Sequence, residues 1–219
     1  MVEVSTSVLT VEKENIMQTI YDLEVGKTDY FHIDVMDGKF VKAFTSNIME
    51  EYCGYMKSVS TLPLDVHLMV KDVKKYIDIY LNYEPNIITF HIEAVKSEEE
   101  AIELINYIKS NNCKVGIAIN PATDIKKVYN LLDKVHMILV MTVVSGEGGQ
   151  ALIEETLTKI SDLKKYIEEK DLDIDIEADG GIKLNNVEKV KSAGANIIVS
   201  GTGIVKQNDF GSVIAAMKD

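Results

Sequence analysis

Short runs rich in β-branched and aromatic residues alternate along this chain with longer stretches of helical spacing. The short runs predict strands, because their positions are alternately apolar and polar or continuously apolar. Eight such runs are found, at 2–9, 30–36, 64–70, 87–93, 114–119, 136–143, 173–178 and 196–200. In the longer stretches apolar residues recur every three or four positions, as at Ile102, Ile105 and Ile108. They predict helices that include 11–25, 98–111, 150–170, 185–193 and 209–217.

Eight strand and helix units in 219 residues amount to one unit for about every 27 residues. This repeat predicts a parallel sheet covered by helices. A compact α/β fold of the (β/α)8 TIM barrel type fits this number of units, and an open doubly wound sheet is the alternative on the pattern alone. Because no linker or low-complexity segment interrupts the alternation, we expect one domain over residues 1–219.

The composition adds that the chain is acidic and that its basic side chains are all lysines. The formal net charge of −12 argues against binding to nucleic acid or to an anionic membrane surface, where contacts to phosphate dominate. The 23 basic residues include no arginine. A bound phosphate would therefore be held by backbone N–H groups, helix N-termini or lysine, not by an arginine fork.

Cysteine usage and the N-terminal sequence bear on the compartment. Cys53 and Cys113 stand far apart in the sequence and predict free thiols, not a disulfide or a zinc site. The N-terminus lacks the basic and then apolar pattern of a signal peptide, and no apolar run approaches the length of a membrane span. We therefore expect a cytoplasmic protein without a membrane segment.

The segment FHIDVMDGKFV at 31–41 carries the first candidate for chemistry. His32, Asp34 and Met36 alternate with aliphatic residues, so the three share one strand face. A histidine and an aspartate two positions apart on one strand face can both reach one metal ion. For this segment taken alone, a hydrogen-bonded pair inside a polar barrel is the alternative.

Further candidates follow from the strand ends, because barrels carry their functional groups at the C-terminal ends of strands. Two histidines and two carboxylates are placed there by three strands: His32, Asp34, His67 and Asp179. Imidazole and carboxylate together suit Zn²⁺, Mn²⁺, Fe²⁺ or Co²⁺. Glycine-rich turns at 145–150, 180–181 and 201–203 follow the last three strands, where barrels tend to bind phosphate. His91 and Glu177 are expected to be buried polar pairs of the barrel.

These motifs resemble the ribulose-phosphate 3-epimerase family. The resemblance rests on HIDVMDGKFV, DVHLMV, ITFHIEA, KVGIAINPAT, VMTV followed by GGQ, IEADGGI and GANIIVSGTGI. It runs from about Ser5 to Val205, nearly the whole chain. It implies a TIM barrel of the ribulose-phosphate-binding type and an enzyme that interconverts D-ribulose 5-phosphate and D-xylulose 5-phosphate through an enediolate.

The resemblance also implies roles for individual residues. His32, Asp34, His67 and Asp179 would bind one divalent metal ion, and Asp34 and Asp179 would be the acid/base pair on opposite faces of the substrate. The residues that would contact the sugar phosphate are Ser7, His67, Met36, Met69, Met141, Gly146, Glu147, Gly148, Gly149, Gly180, Gly181, Gly201 and Thr202. Because the family usually forms dimers or hexamers, a homo-oligomer is expected.

The chain departs from the family pattern in two loops. Lys39, Lys42 and Ala43 stand where the family usually has His, Pro and Asn, and Ser145 and Glu147 replace the Pro and Phe of PGFGGQ. Glu147 would repel a phosphate unless its side chain points to solvent or pairs with a lysine. An epimerase of a six-carbon ketose phosphate such as D-allulose 6-phosphate is therefore the alternative function. A sugar-phosphate binder without catalysis is the alternative from another class.

Overall fold

A computed structural model describes residues 2–219, and in it the eight predicted strands form one closed parallel barrel. The strands are β1 (Glu3–Ser7), β2 (Tyr30–Met36), β3 (Leu64–Met69), β4 (Ile87–His91), β5 (Lys114–Ile119), β6 (Met137–Met141), β7 (Asp175–Asp179) and β8 (Ile197–Ser200). Each strand pairs with the next in sequence, and β8 closes on β1 with Ile197 beside Glu3. This closure confirms the TIM barrel and excludes the open doubly wound sheet.

Helices cover the outside of the barrel. They are α1 (Ile16–Val25), α2 (Ser46–Val59), α3 (Val73–Leu81), α4 (Glu98–Ser110), α5 (Thr156–Glu169), α6 (Val187–Ala193), α7 (Thr202–Val205) and α8 (Phe210–Lys218). Shorter 3₁₀ segments occupy Lys13–Asn15 and Ile92–Ala94, and a longer one, Ile125–Lys134, connects β5 to β6. Side chains cap the N-termini of several of the α-helices; for example, Asp72 accepts a hydrogen bond from the backbone N–H of Lys75 at the start of α3.

The helix expected at 150–170 begins only at Thr156. Residues 150–155 instead continue the glycine-rich loop that follows β6. Gln150 Nε2 donates to the backbone oxygens of Val144 and Glu147 at 2.7 and 2.8 Å, so this side chain closes the loop on itself. The result is a long loop at the C-terminal mouth of the barrel.

Buried apolar side chains occupy two regions. Outward-facing strand residues such as Phe31, Ile33 and Val35 pack against the helices in the main core. Alternate strand residues form two small apolar clusters, one of Ile87, Met137 and Ile197 and the other of Ala118, Leu139, Met141 and Val143. The period of two along a strand places these clusters inside the barrel.

The rest of the barrel interior is polar. The buried polar side chains on the inward faces of the strands are Ser5, Ser7, His32, Asp34, Asp65, His67, Thr89, His91, Glu177 and Asp179. Buried charged groups are stable only when they are paired, hydrogen-bonded or bound to a metal. These polar positions inside the barrel are therefore the candidates for a functional site.

The two cysteines agree with the expectation of free thiols. Cys53 and Cys113 are both buried and unpaired. Within residues 2–219 no helix combines the length and the apolar character needed to cross a membrane.

Candidate active site

The four predicted metal ligands lie together at the C-terminal end of the barrel interior. The register of β2 and β3 sets Asp34 beside His67, and His32 lies on the same face of β2. Asp179 reaches the same point from β7. One nitrogen or oxygen atom from each of the four side chains lies within 4.8 Å of the others. Both histidines are fully buried, whereas Asp34 and Asp179 keep exposed fractions of 5% and 9%.

The spacing of these atoms fits a divalent cation. His67 Nδ1 lies 3.5 Å from both Asp34 Oδ1 and Asp179 Oδ2. His32 Nε2 lies 3.5 and 3.8 Å from the same two oxygens. Four ligands at about 2.1 Å from a tetrahedral zinc ion would be about 3.4 Å apart. Among residues 2–219, neither His32 Nε2 nor His67 Nδ1 has a hydrogen-bond partner, so each lone pair is available to a metal ion.

A buried carboxylate orients His32 from the far side of its ring. His32 Nδ1 lies 2.5 Å from Asp65 Oδ2, which also accepts a hydrogen bond from Ser5 Oγ at 2.7 Å. Such a carboxylate behind a metal-binding histidine fixes the tautomer and raises the basicity of the ligand. Glu177 is fully buried nearby. Burial and the neighbouring Asp65 raise the pKa of Glu177 well above its usual range, so a neutral carboxyl group stands beside the Asp65 carboxylate.

His67 is oriented by a longer series of hydrogen bonds, through His91 to Glu93. His67 Nε2 lies 2.9 Å from His91 Nε2, and His91 Nδ1 lies 3.0 Å from Glu93 Oε2. Burial lowers the pKa of His91 to about 4. Burial opposes ionisation of Glu93, but His91 and Thr123 outweigh it and lower the Glu93 pKa to about 2. At neutral pH a neutral His91 therefore donates from Nδ1 to an ionised Glu93, and its Nε2 accepts from His67 Nε2–H. His67 Nδ1 is thus directed at the site.

The electrostatics of the four groups favour a positive charge between them. Burial lowers the pKa of His32, but Asp65 and Asp34 outweigh burial and raise it well above the usual range. His67 shows the same net rise because of Asp179 and Asp34. Burial opposes ionisation of Asp34, yet His32 and His67 hold the pKa of this carboxyl far below its usual range. A metal ion would take over the role of these imidazole protons.

A cleft opens directly above these groups, at the mouth of the barrel. Its lining includes almost every residue expected to contact substrate: Ser7, Asp34, Met36, Met69, Met141, Gly146, Glu147, Gly148, Gly149, Asp179, Gly180, Gly181, Gly201 and Thr202. His67 lies buried beneath the cleft. Ser7 Oγ donates to Asp34 Oδ2 at 2.7 Å, which ties a lining residue to a predicted acid/base group.

The glycines after β7 allow two loops to meet over the cleft. Gly180 and Gly181 have φ angles of +125° and +67°, in the region that favours glycine. A Cβ atom on Gly180 would lie 2.4 Å from Val143, and one on Gly181 would lie 2.5 Å from the backbone nitrogen of Leu152. Only glycine therefore lets this turn pack directly against the loop after β6.

Comparison with known proteins agrees with this geometry. The profile described as "Ribulose-phosphate 3 epimerase family" matches residues 3–205. The ribulose-phosphate 3-epimerase of Escherichia coli strain K12 is 39% identical over 194 residues, which covers 87% of this chain and 83% of that protein. The chain belongs to the ribulose-phosphate 3-epimerase family. The family and the enzyme class expected from the sequence are thereby confirmed.

Other members and more distant structures are consistent with membership of the ribulose-phosphate 3-epimerase family. The ribulose-phosphate 3-epimerase of Bacillus subtilis strain 168 is 35% identical over 221 residues, covering 100% of this chain and 99% of the relative. The solved 3-hexulose-6-phosphate synthase from Salmonella typhimurium has a TM-score of 0.69 and 13% identity, covering 99% of this chain and 96% of that chain. At that identity the similarity shows the barrel fold alone.

The two departures from the epimerase pattern lie beside each other at the cleft mouth. Glu147 is exposed and, among residues 2–219, takes part in no ion pair, so its side chain faces solvent. Lys39, Lys42 and Glu147 line a second cavity next to the cleft. Opposite charges therefore share that cavity. Phe40, from the same loop as the lysines, packs with its ring centroid 4.9 Å from that of His91.

The partners of the two histidines were given no part in the metal site from the sequence, although His91 was expected to be a buried polar residue of the barrel. Asp65 lies two residues before His67 on one strand face, the spacing that also relates His32 to Asp34. A carboxylate in the middle of a buried strand needs a partner, and this requirement could have indicated Asp65. Glu93 lies in the 3₁₀ segment after β4, beyond the strand on which it was expected. Leu9, Thr10, Val143, Gln150, Ile182 and Val199 also line the cleft, and none of them was predicted to contact substrate.

Proposed function

We propose that this chain interconverts D-ribulose 5-phosphate and D-xylulose 5-phosphate, with Asp34 and Asp179 as the acid/base pair. One observation carries the proposal. The two carboxylates come from separate strands to one point, where Asp34 Oδ1 and Asp179 Oδ2 both lie within 4 Å of the same two histidine nitrogens. This point forms the floor of the cleft between the glycine turns.

Inversion at the carbon next to a carbonyl requires one proton to leave from one face and another to arrive at the other face. One carboxyl group must therefore be ionised while its partner is protonated. The oxygens that face the histidines are Asp34 Oδ1 and Asp179 Oδ2, which leaves Asp34 Oδ2 and Asp179 Oδ1 to exchange protons with substrate. Ser7 Oγ, which donates to Asp34 Oδ2, would orient that oxygen and stabilise its charge.

The metal ion would be held by His32, Asp34, His67 and Asp179. A bound divalent ion polarises a substrate carbonyl and stabilises the charge that develops on its oxygen. Two imidazoles and two carboxylates suit Zn²⁺, Mn²⁺, Fe²⁺ and Co²⁺, and we propose that one of these is the native ion. Metal analysis of protein purified without added metal is the corresponding measurement.

The substrate phosphate would bind at the glycine turns. The chain contains no arginine, so backbone N–H groups of 146–149, 180–181 and 201–202 are the donors proposed for it. The methionines Met36, Met69 and Met141 line the cleft nearer to the carboxylates. Their flexible apolar side chains would exclude water from the reacting carbon atoms.

The test is turnover by purified protein loaded with each candidate metal ion. We expect conversion of D-ribulose 5-phosphate, with losses of about 10²-fold or more in kcat for Asp34→Asn and for Asp179→Asn. The exposed Asp173, exchanged to asparagine, is the matched control and should keep full activity. Folded protein that is inactive with every metal ion, or two active-site variants as active as the control, would overturn the proposal.

A six-carbon ketose phosphate is the second candidate substrate. The observation in its favour is the cavity beside the cleft, which is lined by the two lysines and the glutamate that depart from the family pattern. A higher kcat/KM for D-allulose 6-phosphate than for D-ribulose 5-phosphate would support this candidate. A binder without catalysis would show saturable binding of either sugar phosphate and no turnover.

A homo-oligomer, either a dimer or a hexamer, is the proposed assembly. Met17, Tyr21 and Val25 lie on successive turns of α1 and have exposed fractions of 46%, 63% and 62%. Exposed apolar side chains in a row are common at subunit contacts. Light scattering coupled to size-exclusion chromatography would give the mass of the particle.

A further inference from the structure

One hydrogen bond joins the loop at 143–152, which we call the cleft loop, to another part of the chain. Ser145 Oγ donates to Asn120 Oδ1 at 2.6 Å. The bonds of Gln150 are internal to the loop. Among residues 2–219, no other hydrogen bond joins the cleft loop to another part of the chain. The position of this loop over the cleft therefore depends on Ser145 more than on any other polar contact.

Asn120, the partner of Ser145, belongs to the series of hydrogen bonds that orients His67, a predicted metal ligand. Asn120 Nδ2 lies 3.3 Å from His91 Nδ1, and the backbone N–H of Asn120 donates to Glu93 Oε1 at 2.8 Å. His91 Nε2 in turn lies 2.9 Å from His67 Nε2. The Asn120 amide has both a donor and an acceptor. With the His91 proton on Nδ1, the amide joins the two side chains when its oxygen faces His91 and its NH₂ group is directed at Ser145 Oγ.

The Asn120 end of this connection is rigid. Lys159, which projects from α5, donates from Nζ to the backbone oxygens of Asn120, Pro121 and Thr123 at 3.0, 2.9 and 2.5 Å. Three bonds from one ammonium group hold this turn in place. Movement of the cleft loop away from this turn would therefore break the bond of Ser145, because the backbone of Asn120 is held by α5.

We propose that Ser145 is a positioning residue that couples the closed cleft loop to the orientation of His67, so that metal ion and sugar phosphate strengthen each other's binding. The proposal rests on the proposed function, in which His67 binds the metal and the loop meets the phosphate. Coupling between two binding sites is reciprocal, so the same factor applies in both directions. A proline, the residue that the family pattern has here, carries no side-chain donor and cannot make this bond.

The test compares native protein with Ser145→Ala, which removes the hydroxyl, and with Ser145→Thr, which keeps it. Asp173→Asn is the control, because Asp173 is exposed and lies outside both the cleft and the cleft loop. The probe is D-ribitol 5-phosphate, which has no carbonyl group and cannot react. Its Kd is measured by calorimetry with and without bound Co²⁺, and the visible absorption of Co²⁺ reports on the geometry of the ligands.

In native protein and in the Ser145→Thr and Asp173→Asn variants, we expect Co²⁺ to tighten probe binding by the same factor. In Ser145→Ala this factor should be about three- to tenfold smaller, as for the loss of one hydrogen bond, and the Co²⁺ spectrum on probe binding should change less. An unchanged factor and spectrum in Ser145→Ala, with native protein that binds both ligands, would overturn the coupling alone. Native protein that binds neither ligand would overturn the proposed function together with it.

Discussion

Asp65→Asn is the most direct test of how the metal site is supported. Asp65 does not line the cleft, yet its Oδ2 accepts hydrogen bonds from both His32 Nδ1 and Ser5 Oγ. Asparagine keeps the size of the side chain but removes the negative charge. The substitution should therefore weaken metal binding through His32 without a change in any group that meets substrate.

The magnitude follows from the surroundings of Asp65. Loss of a carboxylate behind a metal-binding histidine costs about 10- to 100-fold in metal affinity, or about 1.4–2.8 kcal/mol. Asp65 is only 2% exposed, so water cannot replace the lost interaction, and we expect a value near the upper end. Glu93→Gln should cost less, about 3- to 10-fold, because Glu93 acts through His91 and its side chain is 20% exposed.

The assay is a competition titration of Zn²⁺ between the protein and a chromophoric chelator at neutral pH. Circular dichroism and the Tm of the metal-free proteins would show that both variants fold, and the exposed Asp173→Asn is the control. A folded Asp65→Asn protein whose Kd for Zn²⁺ is within twofold of native would refute the reasoning. So would a larger loss in Glu93→Gln than in Asp65→Asn.

Three further outcomes are expected. Zn²⁺ affinity should fall as the pH falls below neutral, because nearby carboxylates raise the pKa of His32 and of His67 and protons then compete with the ion. Calorimetry in buffers of different ionisation enthalpy would show the release of protons on binding. Burial opposes the ionisation of Asp37, but hydrogen bonds from backbone N–H groups outweigh it and lower the pKa of this carboxyl group. The ionised Asp37 therefore stabilises the fold above its unfolded pKa of 3.8, and this contribution is lost as the pH falls through its folded pKa. Asp37→Asn should therefore lower the free energy of unfolding, measured by urea titration at neutral pH, by about 1–3 kcal/mol and make stability less dependent on acid, whereas an unchanged free energy of unfolding would contradict this. Gly181→Ala should raise KM for D-ribulose 5-phosphate at least tenfold, because its Cβ would lie 2.5 Å from Leu152 N, and a native KM would contradict this.

Much of the barrel could be predicted, because the periodicity that marks a strand or a helix lies within one short segment of the sequence. The period of two in 30–36 places His32, Asp34 and Met36 on one face of a strand, and the same rule applies to His67 and Met69 in 64–70. Hydrophobic periodicity likewise located α4, α6 and α8 to within two residues. The predicted starts of α1 and α5 were wrong by five and six residues: a 3₁₀ segment precedes α1, and before α5 Gln150 bonds to backbone oxygens of its own loop, so that the helix begins at Thr156.

The metal ligands could be predicted as a set, whereas the residues that orient them by hydrogen bonds could not. Asp34 and His67 become neighbours only through the register of β2 and β3, and a slip of one residue would turn either side chain to the outer face. Asp65, His91 and Glu93 act through contacts between strands. Their strand positions could be read from the sequence, but whether their nitrogens and oxygens meet depends on distances of about 3 Å.

The sequence by itself determined the repeat of strands and helices, the polar face inside the barrel and the family, because these depend on residue type and on spacing along the chain. Only the tertiary structure decided that Asp65 bonds to His32, that His91 links His67 to Asn120, and that Ser145 joins the cleft loop to Asn120. A hydrogen bond depends on the separation and direction of two atoms, and barrel closure sets both for residues that are far apart in sequence.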